Sequence, residues 1–291
     1  MSSMSSIASW HSAGTGTPER RAGAPAWYNS PAMSRLADRA VIITGASSGI
    51  GAELAREAAR RGAAVGLLAR REDRLRELKA EITAGGGRAA WAWADVTDGE
   101  ALAAALDRVA GELGGADVVV ANAGWGRPEP PHKFRPGRSL AMYDTNVLGM
   151  LRLIDWALPR FLERGAGHLV GVASVASYLG LPHSAAYCGS KAAMRLHLQS
   201  LRVSLRSYGI AVTTICPGFV KTELTAKNRF PMPFLWETER AARRIADAIE
   251  KRRGEVIFPW QWKVFVFLTA RLLPAAMVER LMAAKRARSA E

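Results

Sequence analysis

Residues 44–51 read Thr-Gly-Ala-Ser-Ser-Gly-Ile-Gly, and this glycine-rich stretch decides the fold. It follows a short apolar run over 41–43 that is typical of a buried strand, and it leads into a segment of helical spacing over 50–61. The N-terminus of a helix presents unpaired N–H groups and a partial positive charge, which suit a pyrophosphate. Glycines let the backbone turn tightly and approach a ligand closely. The stretch therefore predicts a strand–turn–helix unit that binds a dinucleotide.

Strand and helix patterns alternate on the C-terminal side of this turn. Apolar runs predict strands over residues 41–43, 64–69, 89–94, 117–121, 168–173, 210–216 and 256–258. Helical spacing is found over residues 50–61, 72–83, 102–113, 140–162 and 184–207. This alternation predicts an α/β fold of three layers, a doubly wound parallel sheet of the Rossmann type with helices on both faces, in a single domain.

The chain divides into three parts by composition. Residues 1–34 are rich in Ser, Gly and Pro without apolar periodicity, which predicts a disordered tail. This tail has no continuous apolar region of the kind that a secretory signal needs, and Met33 is a candidate start of translation. We predict a catalytic domain over 35–259 and an apolar and basic helical extension over 260–291.

Composition limits the partners and the compartment. The chain has 291 residues, which is enough for one large α/β domain. Its formal net charge of +14 is interpreted as an Arg-rich solvated surface, with attraction to an anionic membrane as the alternative, and no nucleic-acid motif accompanies it. The two cysteines, Cys188 and Cys216, fit a reducing compartment, and the scattered histidines show no metal-ligand spacing. We expect a cytoplasmic protein with no metal and no nucleic-acid partner.

The end of the second predicted strand bears on the choice of cofactor. An acidic residue at this place accepts hydrogen bonds from a free ribose 2′-hydroxyl, but this chain has Ala69-Arg70-Arg71. Two guanidinium groups suit a 2′-phosphate by charge and by bidentate geometry. The plainer interpretation is that both arginines are the solvated start of a helix. We expect NADP(H) to be preferred over NAD(H).

A second group of residues indicates proton transfer next to a nicotinamide. Tyr187 and Lys191 are four residues apart on a predicted helix and so share one face. A free tyrosine titrates at about 10, and a nearby ammonium together with a nicotinamide cation is expected to lower this pKa. Tyr187 can then exchange a proton with the substrate oxygen. Ser174, at the end of the fifth strand, can donate a hydrogen bond to the same oxygen.

The chain resembles the classical short-chain dehydrogenase/reductase family from about Ala40 to Thr222. The motifs that carry this resemblance are Thr44-Gly-Ala-Ser-Ser-Gly-Ile-Gly51, Asp95-Val96, Ala121-Asn122-Ala123-Gly124, Asn146-Val147, Ser174, Tyr187-x-x-x-Lys191 and Pro217-Gly218. One departure is Ala121, where the family usually has Asn, and it does not touch the catalytic set.

The resemblance implies roles for individual residues. The catalytic residues are expected to be Asn146, Ser174, Tyr187 and Lys191. The expected cofactor-binding residues are Gly45, Ser47, Ser48, Gly49, Ile50, Gly51, Arg70, Arg71, Asp95, Val96, Asn122, Ala123, Gly124, Tyr187, Lys191, Pro217, Gly218 and Thr222. The implied activity is an NADP-dependent oxidoreductase that transfers a hydride between nicotinamide and a carbonyl or secondary alcohol, in a homodimer or homotetramer.

The alternative is a non-catalytic NADP-binding regulatory or scaffold protein on the same fold, since a fold does not fix a function. The complete catalytic set favours an enzyme.

The C-terminal third leaves alternatives open. The apolar residues after Gly218 suggest a lid over an apolar substrate, or equally a segment that packs on its own core. The aromatic stretch over 258–273 is interrupted by Lys263 and Arg271, so its uncharged part is shorter than the ~20 residues that span a bilayer. Three interpretations remain for it, namely a flap on the pocket, a subunit contact, or peripheral membrane contact through an interfacial helix.

Overall fold

The computed structural model describes residues 36–226, 228, 231–274 and 276–280. All of them lie in one compact unit, Ala32–Glu291. The predicted tail over 1–34 and the basic end of the chain from residue 281 lie outside the described residues.

Seven parallel strands form one sheet in the order β3-β2-β1-β4-β5-β6-β7. The strands are β1 (Ala40–Thr44), β2 (Ala64–Ala69), β3 (Arg88–Trp93), β4 (Val118–Ala121), β5 (Gly167–Val172), β6 (Ile210–Pro217) and β7 (Glu255–Phe258). The helices are α1 (Gly49–Arg60), α2 (Glu72–Ala84), α3 (Gly99–Leu113), α4 (Pro136–Tyr143), α5 (Gly149–Arg164), α6 (Ala185–Ser204), α7 (Thr238–Glu250) and α8 (Trp260–Phe267). The predicted doubly wound sheet is confirmed, including the seventh strand.

Two apolar layers cover the two faces of the sheet, because successive side chains of a strand point to opposite faces. Val41 and Ile43 of β1 pack in a cluster with side chains of α1, α2 and α7. Ile42, between them, packs in a second cluster with side chains of α3, α5 and α6. The strand order reverses between β1 and β4, and the carboxyl ends of the strands next to such a point form the crevice where open α/β sheets bind ligands.

The single helix predicted over 140–162 is longer and is interrupted. Between α4 and α5 the backbone forms a π-helical turn, Asp144–Leu148. Asn146 lies in this turn with no exposed surface. The side-chain amide of Asn146 forms hydrogen bonds with the backbone of Trp125 and with Ser190. The π-helical turn is therefore found where the side chain of Asn146 points into the protein. Periodicity alone did not predict the interruption.

The C-terminal extension begins as helix α8 and continues as a π-helical turn, Leu268–Leu272. Among the described residues, no helix has the length and apolar character needed to cross a membrane.

Candidate active site

The turn after β1 is tied to the end of β4 by two side chains. The hydroxyl of Thr44 accepts hydrogen bonds from the backbone N–H groups of Asn122 and Ala123, both at 3.2 Å. The side-chain amide of Asn122 donates to the carbonyls of Thr44 and Gly45, at 3.0 and 3.2 Å. A Cβ atom at Gly51 would collide with the Gly45 carbonyl, so glycine is required there. These contacts fix the path of the glycine-rich turn.

The glycine-rich turn places the N-terminus of α1 at the cavity described below. Gly45 and Gly49 have φ angles of +67° and +55°, which glycine adopts without strain. Ser48 is the N-cap residue, yet within the described part of the chain no side chain caps the first turn of α1. Its free N–H groups and the helix dipole can therefore bind a phosphate.

A cavity of about 530 Å³ lies along the carboxyl ends of the central strands. Its lining includes nearly all of the predicted site residues, namely Gly45, Ser47, Ser48, Gly49, Ile50, Arg70, Arg71, Asp95, Val96, Asn122, Ala123, Gly124, Ser174, Tyr187, Lys191, Pro217, Gly218 and Thr222. Gly51 and Asn146 are not among the lining residues.

Asn146 lies behind the cavity wall. Its Oδ1 atom accepts from the backbone N–H of Trp125 at 2.9 Å, and its Nδ2 atom donates to the carbonyl of Trp125 and to the hydroxyl of Ser190, both at 3.0 Å. A Cβ atom at Gly124 would lie 3.0 Å from Asn146 Oδ1 and 3.2 Å from Lys191 Nζ. Asn146 thus holds the loop that follows β4 close to Lys191.

Ser174 and Tyr187 meet at one end of the cavity. Ser174 follows β5, and its hydroxyl accepts the backbone N–H of Ala176 at 3.1 Å. The ring of Tyr187 packs against Gly126, where a Cβ atom would overlap it. Burial raises the pKa of the Tyr187 phenol, and a hydrogen bond with Ser174 acts in the opposite direction. Burial is thus the largest influence on this phenol, and the influence that lowers its pKa comes from Ser174. The expected lowering of this pKa by an ammonium together with a bound nicotinamide cation stays a prediction.

Lys191 lies in α6, four residues after Tyr187, and is almost fully buried. Its Nζ atom donates to the carbonyl of Val172 at 2.8 Å. Burial lowers the pKa of this ammonium to about 8, against a smaller opposing effect of Cys216. The side chain is therefore mostly charged at neutral pH.

The two arginines lie at another part of the cavity. Arg70 approaches Asp95 at 3.5 Å, and Arg71 pairs with Glu223 at 3.0 Å. The Nε–H of Arg71 also donates to the hydroxyl of Ser47 at 3.2 Å. Both arginine side chains are exposed, and both also line the cavity, so their position agrees with a solvated helix start and with a phosphate-binding role alike.

Several lining residues were not among the individual site residues predicted from the sequence. These are Ala69, Ala94, Trp125, Thr145, Val172, Ala173, Val220, Glu223, Leu224 and Thr225. The last four of them nevertheless belong to the segment after Gly218, for which a lid was one expectation. Trp125 directly follows Gly124, so its position after the motif could have identified it. Glu223 belongs to an irregular segment whose spacing carries no signal, and only the three-dimensional structure reveals its place.

Helix α8 packs against Gly218, which lines the cavity. The indole of Trp262 lies so close to Gly218 that a Cβ atom there would overlap it. The rings of Trp262 and Phe219 meet edge to face with centroids 5.7 Å apart. The C-terminal extension is thus attached to the segment that follows β6.

The residues present fit a nicotinamide dinucleotide. The glycine turn and the N-terminus of α1 suit the pyrophosphate, and added Cβ atoms at Gly45 or Gly51 would collide with the cradle itself. Cationic side chains lie where β2 ends, and a hydroxyl, a phenol and an ammonium lie where β5 ends and α6 begins. This arrangement can place a proton donor next to the oxygen of a carbonyl group whose carbon would receive a hydride.

The sequence is similar to known oxidoreductases. The family model described as short chain dehydrogenase matches residues 39–232. A protein of Myxococcus xanthus named only as an uncharacterized oxidoreductase is 43% identical over 242 residues, which are 83% of this chain and 95% of that protein.

Two solved structures have the same fold. A gluconate 5-dehydrogenase from Burkholderia cenocepacia, in complex with NADP and tartrate, superposes with a TM-score of 0.73 at 26% identity, over 80% of this chain and 99% of that chain. A short chain dehydrogenase/reductase from Burkholderia phymatum, in complex with NAD, superposes with a TM-score of 0.75 at 23% identity, over 80% and 93% of the two chains. The latter supports the fold alone.

Proposed function

We propose that this chain, which belongs to the short-chain dehydrogenase family and is an oxidoreductase, uses Tyr187 as its acid and base in hydride transfer between a carbonyl and a secondary alcohol. The observation that carries the proposal is that Ser174, Tyr187 and Lys191 line the same cavity as the glycine-rich turn. A non-catalytic scaffold has no need of this set.

The nicotinamide, when bound, accepts or supplies the hydride. In the direction of carbonyl reduction, the Tyr187 hydroxyl donates its proton to the substrate oxygen. The Ser174 hydroxyl donates a hydrogen bond to the same oxygen while negative charge builds on it. Lys191 supplies a positive charge nearby that stabilises the phenolate left on Tyr187. Asn146 holds the loop after β4 in place through its bonds to Trp125.

We propose that the enzyme prefers NADP(H). The support is the pair Arg70 and Arg71 at the cavity, since guanidinium groups bind a phosphate bidentately. Replacing both by Ala is expected to lower kcat/KM for NADPH by about 10-fold to 100-fold and to change kcat/KM for NADH little, because each charge-assisted hydrogen bond is worth ~1.5–3 kcal/mol before solvent screening.

The control for this experiment is Arg108→Ala, which removes an exposed arginine of α3 that pairs with Glu112 away from the cavity. Equal efficiency of the wild type with both cofactors, or an equal loss for both in the double variant, contradicts the preference.

We propose an apolar substrate. The segment after Gly218 contributes Val220 and Leu224 to the cavity, and Phe219 packs on Trp262 beside it. The test is a screen of aldehydes, ketones, sterols and acyl-chain alcohols, followed by NADPH absorbance. Turnover confined to small polar sugars or acids would contradict this proposal.

We propose that α8 supports the wall of the cavity from behind Gly218 and that its outer face contacts a second copy in a cytoplasmic homodimer or homotetramer. Trp262 supports the first part, and the exposed side chains of Trp260, Val264 and Phe267 on the other side support the second. Cys188 and Cys216 are buried and are not joined by a disulfide, which fits a reducing compartment. If light scattering shows a monomer, and if the protein is retained on membranes until high salt releases it, the outer face of α8 makes a peripheral membrane contact and not a subunit contact.

A further inference from the structure

The two arginines that follow β2 each contact a carboxylate, and the carboxylates are held differently. Asp95, just after β3, accepts hydrogen bonds from the N–H and the hydroxyl of Thr97 at 3.0 and 2.8 Å and lies 3.5 Å from Arg70. Glu223 comes from the segment after β6, on the other side of the cavity, and lies 3.0 Å from Arg71. An acid therefore reaches the end of β2 although the sequence has none there.

A closed turn fixes the backbone of Glu223 above the phosphate cradle. The hydroxyl of Thr225 accepts the N–H of Thr222 at 2.9 Å and donates to the carbonyl of Val220 at 2.7 Å. The methyl group of Thr222 lies 3.1 Å from the position of a Cβ atom at Gly49. The turn therefore packs on the glycine-rich turn, and Glu223, which lies within it, is directed toward Arg71.

Arg71 connects the glycine-rich turn with the segment that follows β6. Its Nε–H donates to the hydroxyl of Ser47 at 3.2 Å, and its Nη1 donates to both carboxylate oxygens of Glu223, at 3.2 and 3.0 Å. The side chains of Arg71 and Glu223 are 42% and 64% exposed. Water and salt reach an ion pair of this exposure, so an anionic ligand can exchange with the carboxylate.

We propose that Glu223 is a specificity-determining residue that weakens the binding of a 2′-phosphorylated cofactor relative to one with a free 2′-hydroxyl, because its carboxylate competes for Arg71. The inference rests on the proposed function, in which Arg71 meets the ribose. A phosphate monoester carries about −1.5 to −2 charges at pH 7 and is repelled by the carboxylate. A free hydroxyl brings no charge and can donate a hydrogen bond to that carboxylate.

The test measures binding and needs no turnover. Full-length Glu223→Gln and wild type are titrated calorimetrically with adenosine 2′,5′-bisphosphate and with adenosine 5′-monophosphate, which differ only in the 2′-phosphate. We expect the dissociation constant of the bisphosphate to fall about 3-fold to 5-fold in the variant at low salt, and that of the monophosphate to change less than about 2-fold. An unchanged bisphosphate constant, or an equal change for both ligands, overturns the proposal.

Two further variants separate competition from other effects. Glu112→Gln on α3 removes the same charge away from the cavity and is expected to change neither constant. In the Arg71→Ala background, Glu223→Gln is expected to give a smaller gain, because only the repulsion between carboxylate and phosphate is left to relieve, and an undiminished gain overturns competition for Arg71. Equal affinity of the wild type for NADH and NADPH would contradict the proposed cofactor preference, yet the response of Glu223→Gln still decides the present inference.

Discussion

At the scale of single residues, burial sets the charge of the side chains at the site. Loss of hydration lowers the pKa of Lys191 to about 8 and raises the pKa of Tyr187. At neutral pH the phenol therefore keeps its proton, and the ammonium beside it is mostly charged. This state is ready to donate a proton to a carbonyl oxygen, whereas alcohol oxidation needs the positive charge of a bound nicotinamide to favour the phenolate.

Tyr187→Phe tests the acid and base role. We expect turnover to fall by at least about 10²-fold to 10⁴-fold, because the phenol oxygen carries the transferred proton. NADPH binding, measured by fluorescence, is expected to stay close to that of the wild type, while Lys191→Ala weakens both binding and turnover. Tyr208→Phe removes an exposed phenol and serves as the control. Turnover in Tyr187→Phe comparable with wild type would refute the assignment.

His168 predicts how stability responds to acid. Its Nε2 atom lies 2.8 Å from the hydroxyl of Thr213, which itself donates to the carbonyl of Arg253 at 2.6 Å. Burial, with a smaller effect of Arg252, lowers the pKa of His168 from 6.5 to about 3. Between these two values only the unfolded chain binds the proton. The contribution of His168 to the free energy of unfolding is therefore complete above pH 6.5, and it falls by ~1.4 kcal/mol per pH unit as the pH drops toward 3.

The measurement compares urea unfolding at pH 7 and pH 5 for wild type and His168→Gln. The glutamine cannot take up a proton. Between pH 7 and pH 5 we therefore expect the free energy of unfolding to fall by about 2 kcal/mol less in the variant than in the wild type. His197→Gln, at an exposed position, is the control and should behave as wild type. An identical acid response of wild type and His168→Gln would show that His168 is not the buried neutral group inferred from the structure.

At the scale of elements, local patterns predicted strands and most helices because each carries its own periodicity. The turn over 44–51 was predicted with its strand and helix, since glycine spacing is a local signal. The π-helical turn around Asn146 was not, because it depends on bonds to Trp125 and Ser190, which lie far away in the sequence. The same holds for α8, whose attachment to Gly218 no sequence pattern shows.

Helix α8 offers a matched pair of variants. Trp262→Ala removes the ring that packs on Phe219 and Gly218, and we expect a lower melting temperature and a higher KM for substrate, with NADPH still bound. Trp260→Ala makes the same change at a side chain that is 69% exposed and should leave both quantities unaltered. Truncation before Trp260 is expected to expose the surface of Phe219 and Gly218 that Trp262 covers, and to reduce solubility. If Trp262→Ala behaves as Trp260→Ala does, α8 does not support the wall of the cavity at Gly218.

At the scale of the whole molecule, the parallel sheet brings distant segments to one edge. The cradle comes from β1 and α1, the floor from β4, and the side chains proposed as catalytic, Ser174, Tyr187 and Lys191, from the end of β5 and from α6. The rule that carboxyl ends of parallel strands share an edge allowed this grouping to be predicted from the sequence. Contacts across the cavity, such as Arg71 with Glu223, could not be predicted, because irregular segments have no period from which to infer their direction.

Deleting residues 1–32 tests the proposed division of the chain at about residue 34. All seven strands lie between Ala40 and Phe258, so we expect the shortened protein to keep the melting temperature and the activity of the full chain within error. Differential scanning calorimetry and turnover of both forms provide the comparison. A large drop in melting temperature would assign the tail to the folded domain.

The contact between Gly218 and Trp262 also constrains how this sequence can diverge. A side chain at 218 needs the space that the indole fills, so a relative that replaces the glycine must carry a smaller residue at 262 or move α8 away. Either route alters the wall beside the cavity, and mutations at the two positions are therefore expected to be inherited together. Lineages that share the glycine and the tryptophan should share the shape of this wall, and those that have lost both should differ in the substrates they accept.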